Sequence, residues 1–354
     1  MGERLFDQAK FEALQGKAVG DVAGAIWMLL AYIGDQTGVY RALEEAGPST
    51  HEELAANTGL DARYLLEWLS ANAAAGYVDY DGADGRFSLS PEQAALLAHE
   101  GEPTCMQGFF QAVVSQYATH DQAVETFRSG SGRAWGEHHN CLFCGTDRFF
   151  RPGYQMNLLS AWLPALDGVE AKLRAGAKVA DIGCGHGSST VLMAGAYPQS
   201  SFHGYDFHAP SIAAARKHAA DAGAGNAHFE EAAAKALPER GFDLVCIFDA
   251  LHDMGDPVGA ARHVREVLDP DGTFMIVEPM AADELADNLN PLAAGFYGLS
   301  TIICVPTSRA QEVGRCLGAQ AGERRLTEVL REAGFTRIRR ATETPMNMVI
   351  EARP

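Results

Sequence analysis

The sequence predicts an α/β chain: a seven-stranded, mostly parallel sheet preceded by a mainly helical winged-helix domain. Three observations predict it. From Lys178 onward, short apolar runs alternate with helical stretches, as in a parallel sheet covered by helices. The glycine-rich loop Asp181-Ile182-Gly183-Cys184-Gly185-His186-Gly187 lies between the first run and the first helix. Before residue 90 the order is helix, turn, helix, hairpin, that of a winged helix-turn-helix.

In chain order, residues 1–30 read as helical. GDVAGAIWMLLAYIG is apolar on most sides, so it packs against a partner in this chain or in a second copy. Ser49 or Thr50 can cap a short helix carrying Glu53, and Asn57-Thr58-Gly59 breaks it. Asp61 caps a second helix with Leu65, Leu66, Leu69 and Ala73 on one face, ended by Gly76. Residues 77–80 and 86–89 read as two strands around the Gly-rich turn 81–85. Residues 91–130 are expected to be helical, and 131–155 form a Gly-, His- and aromatic-rich approach to the sheet. Residues 158–166 read as a further helix. KVADIG, FHGYD, AHFEE, DLVCIFD and TFMIVE are the expected buried strands. FTRIRRAT and PMNMVIEARP read as a terminal hairpin that finishes the sheet with an antiparallel edge. The expected organisation is residues 1–130, a winged-helix and dimerisation domain; 131–165, a linker and pocket lid; and 166–354, the sheet domain.

Composition narrows the function. The chain has 354 residues, 47% hydrophobic and 21% charged, enough for two folded domains. Its net charge is -18, and the first 165 residues carry 10 Lys/Arg against 21 Asp/Glu. Binding to nucleic acid or anionic membrane needs clustered cations, so neither is an expected partner. The second winged-domain helix carries one Arg and one Glu, which points to a structural or dimerisation role. MGERLFDQAK lacks the apolar core of a signal peptide. The longest apolar stretch, residues 22–33, is shorter than the ~20 residues of a bilayer span. Seven scattered cysteines read as reduced thiols of a cytoplasmic protein.

The glycine loop lets backbone N–H groups approach a ligand at a helix start. It lacks Gly-Lys-Ser/Thr, which disfavours a nucleoside triphosphate. Asp181, two positions before Gly183, suits a cationic ligand end, and Asp206 at the next strand end can take a ribose diol. After the fourth strand comes Asp249-Ala250-Leu251-His252-Asp253-Met254-Gly255-Asp256. A histidine at the carboxyl end of a strand lies where α/β proteins bind ligands. It can accept a proton near neutral pH, or it can simply hold the turn or touch a cofactor.

These residues resemble class I S-adenosyl-L-methionine (SAM) methyltransferases, over about residues 166–354. The resemblance implies a Rossmann-like seven-stranded sheet, SAM as cofactor and S-adenosyl-L-homocysteine as product. It implies cofactor contacts from Asp181, Gly183, Gly185, Gly187, Asp206, Phe207, Ala233, Ala234 and Asp249. One departure is Ala232-Ala233-Ala234, where many members place an acid at the adenine edge. LHDMGD also looks like the His-Asp-Trp motif of plant-type small-molecule O-methyltransferases, with Met254 in place of Trp. That resemblance, from about residue 20 onward, implies His252 as general base flanked by Glu278 and Glu323, and a homodimer formed through the N-terminal domain. The Gly-x-Glu-Arg-Thr match at Gly322-Glu323-Arg324-Arg325-Leu326 is partial, and residues 280–317 are richer in Asn and Pro than the family pattern. FFRPGY, DIGCGHG and LHDMGDP are similar to stretches of an actinobacterial group of two-domain methyltransferases. The expected function is methylation of a small molecule at oxygen; the alternative is a SAM-binding regulator or structural dimer without turnover.

An acceptor must sit over the carboxyl ends of the strands. The expected contacts are Trp135, His138, His139, Phe150, Arg151 and Tyr154 from the approach segment, and Asn290 and Tyr297 from the segment after the fifth strand. Aromatic rings with a few polar groups suit a flat, mostly apolar acceptor. EHHNCLFCG, residues 137–145, raises a metal reading through His138, His139, Cys141 and Cys144. No second paired-ligand module accompanies it, and adjacent side chains point apart in an extended segment, so no metal is expected.

Overall fold

The computed structural model describes residues 6–354. Two compact units emerge: Met1–Ser115 with Cys144–Pro152, and Gln116–Phe143 with Gly153–Pro354. These bounds compare with the expected ones at 130 and 165.

In the first unit, Asp7 caps a helix of 30 residues, Gln8–Thr37, which ends at Gly38 in the left-handed conformation. The apolar run 22–33 is therefore part of a longer helix, one that by length and composition alone could cross a membrane. Its inner face is nonetheless committed to protein. Trp27, Ala31 and Gly34 are buried, and the Trp27 ring stacks on Tyr77 at 3.5 Å between centroids. Trp27 Nε1 and Tyr40 Oη both donate to Asn72 Oδ1, at 3.0 and 2.8 Å, so one buried amide satisfies two aromatic donors. Gly34 is fixed by close approach: a Cβ there would lie 2.5 Å from the rings of Trp68 and Tyr40. The outer face leaves Leu14, Val19, Val22, Ile26, Leu29 and Ile33 exposed.

The winged-domain order is as expected. Thr50 forms a capping box with Glu53 on helix His51–Thr58, and Asp61 caps helix Ala62–Ala74. The wing is β1 (Asp79–Asp81) paired antiparallel with β2 (Arg86–Ser88). Arg148 returns to this unit from far along the chain and pairs with Asp35 and Glu100 at 2.8 and 2.6 Å.

The approach segment is a helix, Asn140–Asn157, followed by a wide π turn, Leu158–Trp162. Gly145, Pro152 and Gly153 hide it in the sequence. His139 starts it by accepting from Cys141 N at 3.2 Å, a cap rather than a metal ligand in this structure.

The second unit is built on a seven-stranded sheet. Its strands are β3 (Lys178–Ile182), β4 (Ser201–Asp206), β5 (Ala227–Glu231), β6 (Phe242–Phe248), β7 (Leu268–Pro279), β8 (Arg337–Glu343) and β9 (Asn347–Arg353). The order is β5-β4-β3-β6-β7-β9-β8. The first five are parallel, and β9 runs antiparallel to both β7 and β8. The terminal hairpin thus finishes the sheet with antiparallel pairing, as expected, with β9 on the inside and β8 as the edge strand. Met348 to Ala352 are buried along β9, and a run buried on both faces, apolar but for Glu351, needs neighbours on both sides. β8 carries Arg337, Arg339 and Arg340, which suit a solvated edge. Val264, Val267, Leu326, Val329 and Leu330 pack with Ile247, Phe274 and Ile350 in one core.

Candidate active site

The glycine loop follows β3 and precedes helix Ser188–Ala196. Gly183, Gly185 and Gly187 have φ of 72°, 53° and 76°, a region costly to side chains with a Cβ. A Cβ at Gly187 would also lie 2.7 Å from the Phe229 ring, whereas one at Gly185 meets open space. The loop backbone is therefore bare where a ligand would approach. Asp181 is buried beneath it. Ser189 Oγ and Thr190 Oγ1 each donate to its Oδ2 at 2.6 Å. Its Oδ1 is buried with no hydrogen-bond partner, an acceptor that fits a cationic ligand end. Burial pushes the Asp181 carboxyl up to about 6, against the two hydroxyl hydrogen bonds.

Asp206 ends β4 and organises the same corner. Its Oδ2 accepts from Gly185 N at 3.0 Å and its Oδ1 from His208 N at 2.8 Å. Each carboxylate oxygen keeps a second lone pair for a donor such as a ribose hydroxyl. Burial raises its pKa, opposed by those backbone hydrogen bonds. Phe207 beside it is exposed, as a residue laid over a ring would be before the ring arrives. Ala233 is exposed and Ala234 half-buried, on the stretch after β5 that Ala232 N ties to Asp206 O at 3.0 Å. Thus the loop, Asp206, Phe207 and the alanines share one end of the sheet. These features fit a nucleoside with a cationic amino-acid tail.

Asp249, next after β6, has φ 47°, a conformation uncommon outside glycine and one found at functional turns. Asn347 Nδ2 donates to its Oδ1 at 2.8 Å, and its Oδ2 is buried without a partner. Burial and the nearby Glu278 charge hold the Asp249 carboxyl well above its usual range.

The strained turn leads into Leu251–Asp253, one 3-10 turn carrying His252. His252 is 4% exposed. Its Nδ1 donates to Glu278 Oε2 at 2.5 Å, and Glu278 Oε1 accepts from Leu251 N and His252 N at 2.9 and 3.2 Å. One carboxylate therefore fixes both the ring and the backbone that bears it. His252 Nε2 lies 3.3 Å from Asp253 Oδ1. Burial opposes charge on the imidazole, but Glu278 and Asp253 outweigh it and hold the His252 pKa well above the ordinary histidine value. Cys304, from the segment after β7, lies beside them, its thiol pushed up to about 11 by burial. The turn is held from outside as well. Ser308 Oγ donates to Met254 O at 2.9 Å and Gln311 Nε2 to Asp253 O at 3.0 Å.

Glu323 is placed elsewhere. It is 37% exposed at its side chain and engaged by Arg340 at 2.5 Å, rather than joined to His252. The proposed acceptor contacts separate into groups. Trp135 and Phe143 pack with ring centroids 5.3 Å apart and planes tilted, and Phe143 meets the His208 ring at 4.4 Å, beside the Asp206 corner. His138 is buried on Thr307, its Nε2 3.5 Å from Oγ1, with Nδ1 unpartnered. Burial and Arg133 push His138 down to about 3, so it is neutral. His139 is an exposed helix cap. Tyr154 is buried against Trp162 and Phe248. Phe150 meets Phe149 edge to face and Arg151 pairs with Asp147, all within the Cys144–Pro152 part of the first unit. Asn290 caps helix Pro291–Leu299 through Ala293 N, and Tyr297 is half-buried on that helix. Cys304 and Asn347 were not singled out from sequence. Neither lies in a motif; each reaches the site from a distant segment.

Comparison with known proteins bears on the fold that carries this site. A family model described as a methyltransferase domain matches residues 173–334, and one described as an Rv2258c-like winged HTH domain matches residues 25–99. The Bacillus subtilis protein named uncharacterized methyltransferase YcgJ is 33% identical over 129 residues, 34% of this chain and 50% of that protein. The matched region spans about half the length of the curated relatives. Among solved structures, PigF with SAH gives a TM-score of 0.73 at 18% identity, covering 95% of this chain and 98% of that one. The mitomycin 7-O-methyltransferase MmcR gives 0.69 at 20% identity, covering 98% and 100%. The chain therefore carries a methyltransferase domain with the SAM-dependent methyltransferase fold behind an Rv2258c-like winged helix-turn-helix domain.

Proposed function

We propose that this protein transfers the methyl group of SAM to a hydroxyl of a small, flat acceptor, with His252 as the general base. The observation that carries the reading is the buried Glu278–His252 pair at the carboxyl end of β6, one turn from the glycine loop's strand neighbour. SAM bound at the glycine loop and Asp206 would supply the activated methyl group. The chain's own residues then have two tasks. The loop and Asp206 hold the cofactor in place, and Nε2 of His252 takes the acceptor's proton as the oxygen becomes nucleophilic. Glu278, on Nδ1–H, fixes the tautomer and stabilises the imidazolium that forms. Asp253 and Cys304 lie beside His252 on the side away from Glu278, so the acceptor hydroxyl must take their place as partner of Nε2.

The test is release of S-adenosyl-L-homocysteine with a panel of phenols and hydroxylated aromatic acids. Stoichiometric SAM binding with no release from any of them would favour the regulator reading instead. A pH dependence follows from His252. Its pKa is raised, so the neutral base forms only above that value, and the rate is expected to climb with pH past the usual histidine range. Glu278→Gln removes a principal cause of the rise. The ascending limb of the kcat profile is then expected to move to lower pH, with a lower plateau because the imidazolium loses its partner. An ascending limb that stays in place would rule Glu278 out of this role.

We infer further that the N-terminal unit mediates a homodimer through the outer face of helix Gln8–Thr37. Val22, Ile26, Leu29 and Ile33 are exposed there at spacings of four, three and four, a stripe along one helix face. Burying what each still exposes contributes on the order of 1 kcal/mol. Ile26→Glu is expected to yield monomers by sedimentation without loss of the fold; an unchanged mass would exclude this face. DNA is not an expected ligand of the winged domain, since Arg63 on helix Ala62–Ala74 is already paired with Glu67 at 2.5 Å.

A further inference from the structure

We propose that His252 Nε2, Asp253 Oδ1 and Cys304 Sγ form a three-ligand site for a divalent ion of the zinc class, and that the ion inhibits methyl transfer by occupying the base. The inhibitory part rests on the reading of His252 given above; the binding part does not. The three ligand atoms lie within 4.8 Å of one another. Ligands at the usual zinc distances in a tetrahedron are roughly 3.3–3.6 Å apart, so the His252–Asp253 edge already fits at 3.3 Å, and Cys304, within 4.8 Å of both, has at most about 1.5 Å to close. Nitrogen, carboxylate oxygen and sulfur together favour zinc over magnesium or calcium, which prefer oxygen alone.

Two features outside the ligand atoms point the same way. Asp253 Oδ1 is buried and faces His252 Nε2 at 3.3 Å without the geometry of a full hydrogen bond, so a cation placed between the two would satisfy it better. His252 donates its other ring nitrogen to Glu278 at 2.5 Å, the carboxylate–histidine arrangement that orients metal-binding imidazoles. The ligands come from two segments: His252 and Asp253 from the turn after β6, and Cys304 from the π turn Ser300–Cys304. Three protein ligands leave a fourth position for water. On binding, the Cys304 S–H and His252 Nε2–H bonds break, both protons go to solvent, and the freed sulfur and nitrogen lone pairs bind the metal. The lone pair of Nε2 is then committed to the ion and cannot accept the acceptor's proton. Asp256 takes no part; it is held by Lys235 at 3.0 Å.

The experiment uses the full chain and Co2+ as a spectroscopic probe, with Zn2+ competition. Wild-type protein is expected to bind one Co2+ with a thiolate-to-cobalt absorption band, displaced by Zn2+. Cys304→Ser should lose that band and weaken Zn2+ binding at least tenfold, while Cys141→Ser and Cys144→Ser leave both unchanged. Zn2+ should inhibit methyl transfer with the same midpoint at which it displaces cobalt. Absence of a Cys304-dependent band, or inhibition that persists in Cys304→Ser at the wild-type midpoint, overturns the proposal. If the cobalt band is lost in His252→Ala but methyl transfer persists, the metal site stands and the base reading fails. Circular dichroism of each variant separates loss of binding from loss of fold.

Discussion

His252→Ala is expected to lower kcat by about 10²–10⁴-fold while the dissociation constant for SAM stays within about threefold. The split follows from position. His252 lies on the turn after β6, whereas the glycine loop and Asp206 lie at the ends of β3 and β4. The loop's hydrogen bonds close on Tyr205 O and Asp206, not on the histidine. Removing the imidazole takes away the proton acceptor and leaves Glu278 still bound to the backbone N–H groups of residues 251 and 252. The turn therefore has a reason to persist. Single-turnover methyl transfer and calorimetric titration with SAM measure the two quantities separately. Near-normal turnover would end the base assignment, and a parallel loss of SAM affinity would make His252 a structural residue of the cofactor pocket.

Asp206→Ala is expected to weaken SAM binding about 10²-fold, since hydrogen bonds to a charged group are worth about 1.5–3 kcal/mol each. The carboxylate has two kinds of work here. It holds Gly185 N and His208 N, which shapes the loop, and it offers its remaining lone pairs to a ribose diol. Asp206→Asn keeps one carbonyl acceptor and is expected to lose less. Calorimetric titration with S-adenosyl-L-homocysteine reads both variants without requiring turnover. Wild-type affinity in Asp206→Ala would remove this residue from the cofactor site. A large drop in melting temperature alone would point to the loop rather than the diol.

Much of the site is legible in the sequence because its parts are local. Three glycines in one loop announce a backbone at positive φ, and all three have it. An acid at a strand end and a histidine after a buried strand need no distant information. What failed was also physical. Glu323 sits in a partial motif, and Arg340 on β8 competes for it, a partner 17 residues away. His138 and His139 look like a ligand pair, yet one is a buried neutral ring and the other a helix cap. The helix at Asn140–Asn157 was hidden by glycine and proline, whose weak helix propensity was overridden by packing: Gly145 is buried so closely on Ala112 that a Cβ would lie 2.5 Å from its backbone nitrogen.

By itself, the sequence determined the α/β class, the winged domain ahead of it, the glycine loop, Asp206 and the His252 turn. Each depends on a period, a cap or a backbone conformation that a few consecutive residues specify. Only the tertiary structure decided that β9 inserts between β7 and β8, that Asn347 pins the strained Asp249, and that Glu278 rather than Glu323 holds His252. It alone brought Cys304 against that histidine. These are pairings between residues from 26 to 98 positions apart, and in each the choice among possible partners is made by which side chains the packed core brings within hydrogen-bond reach.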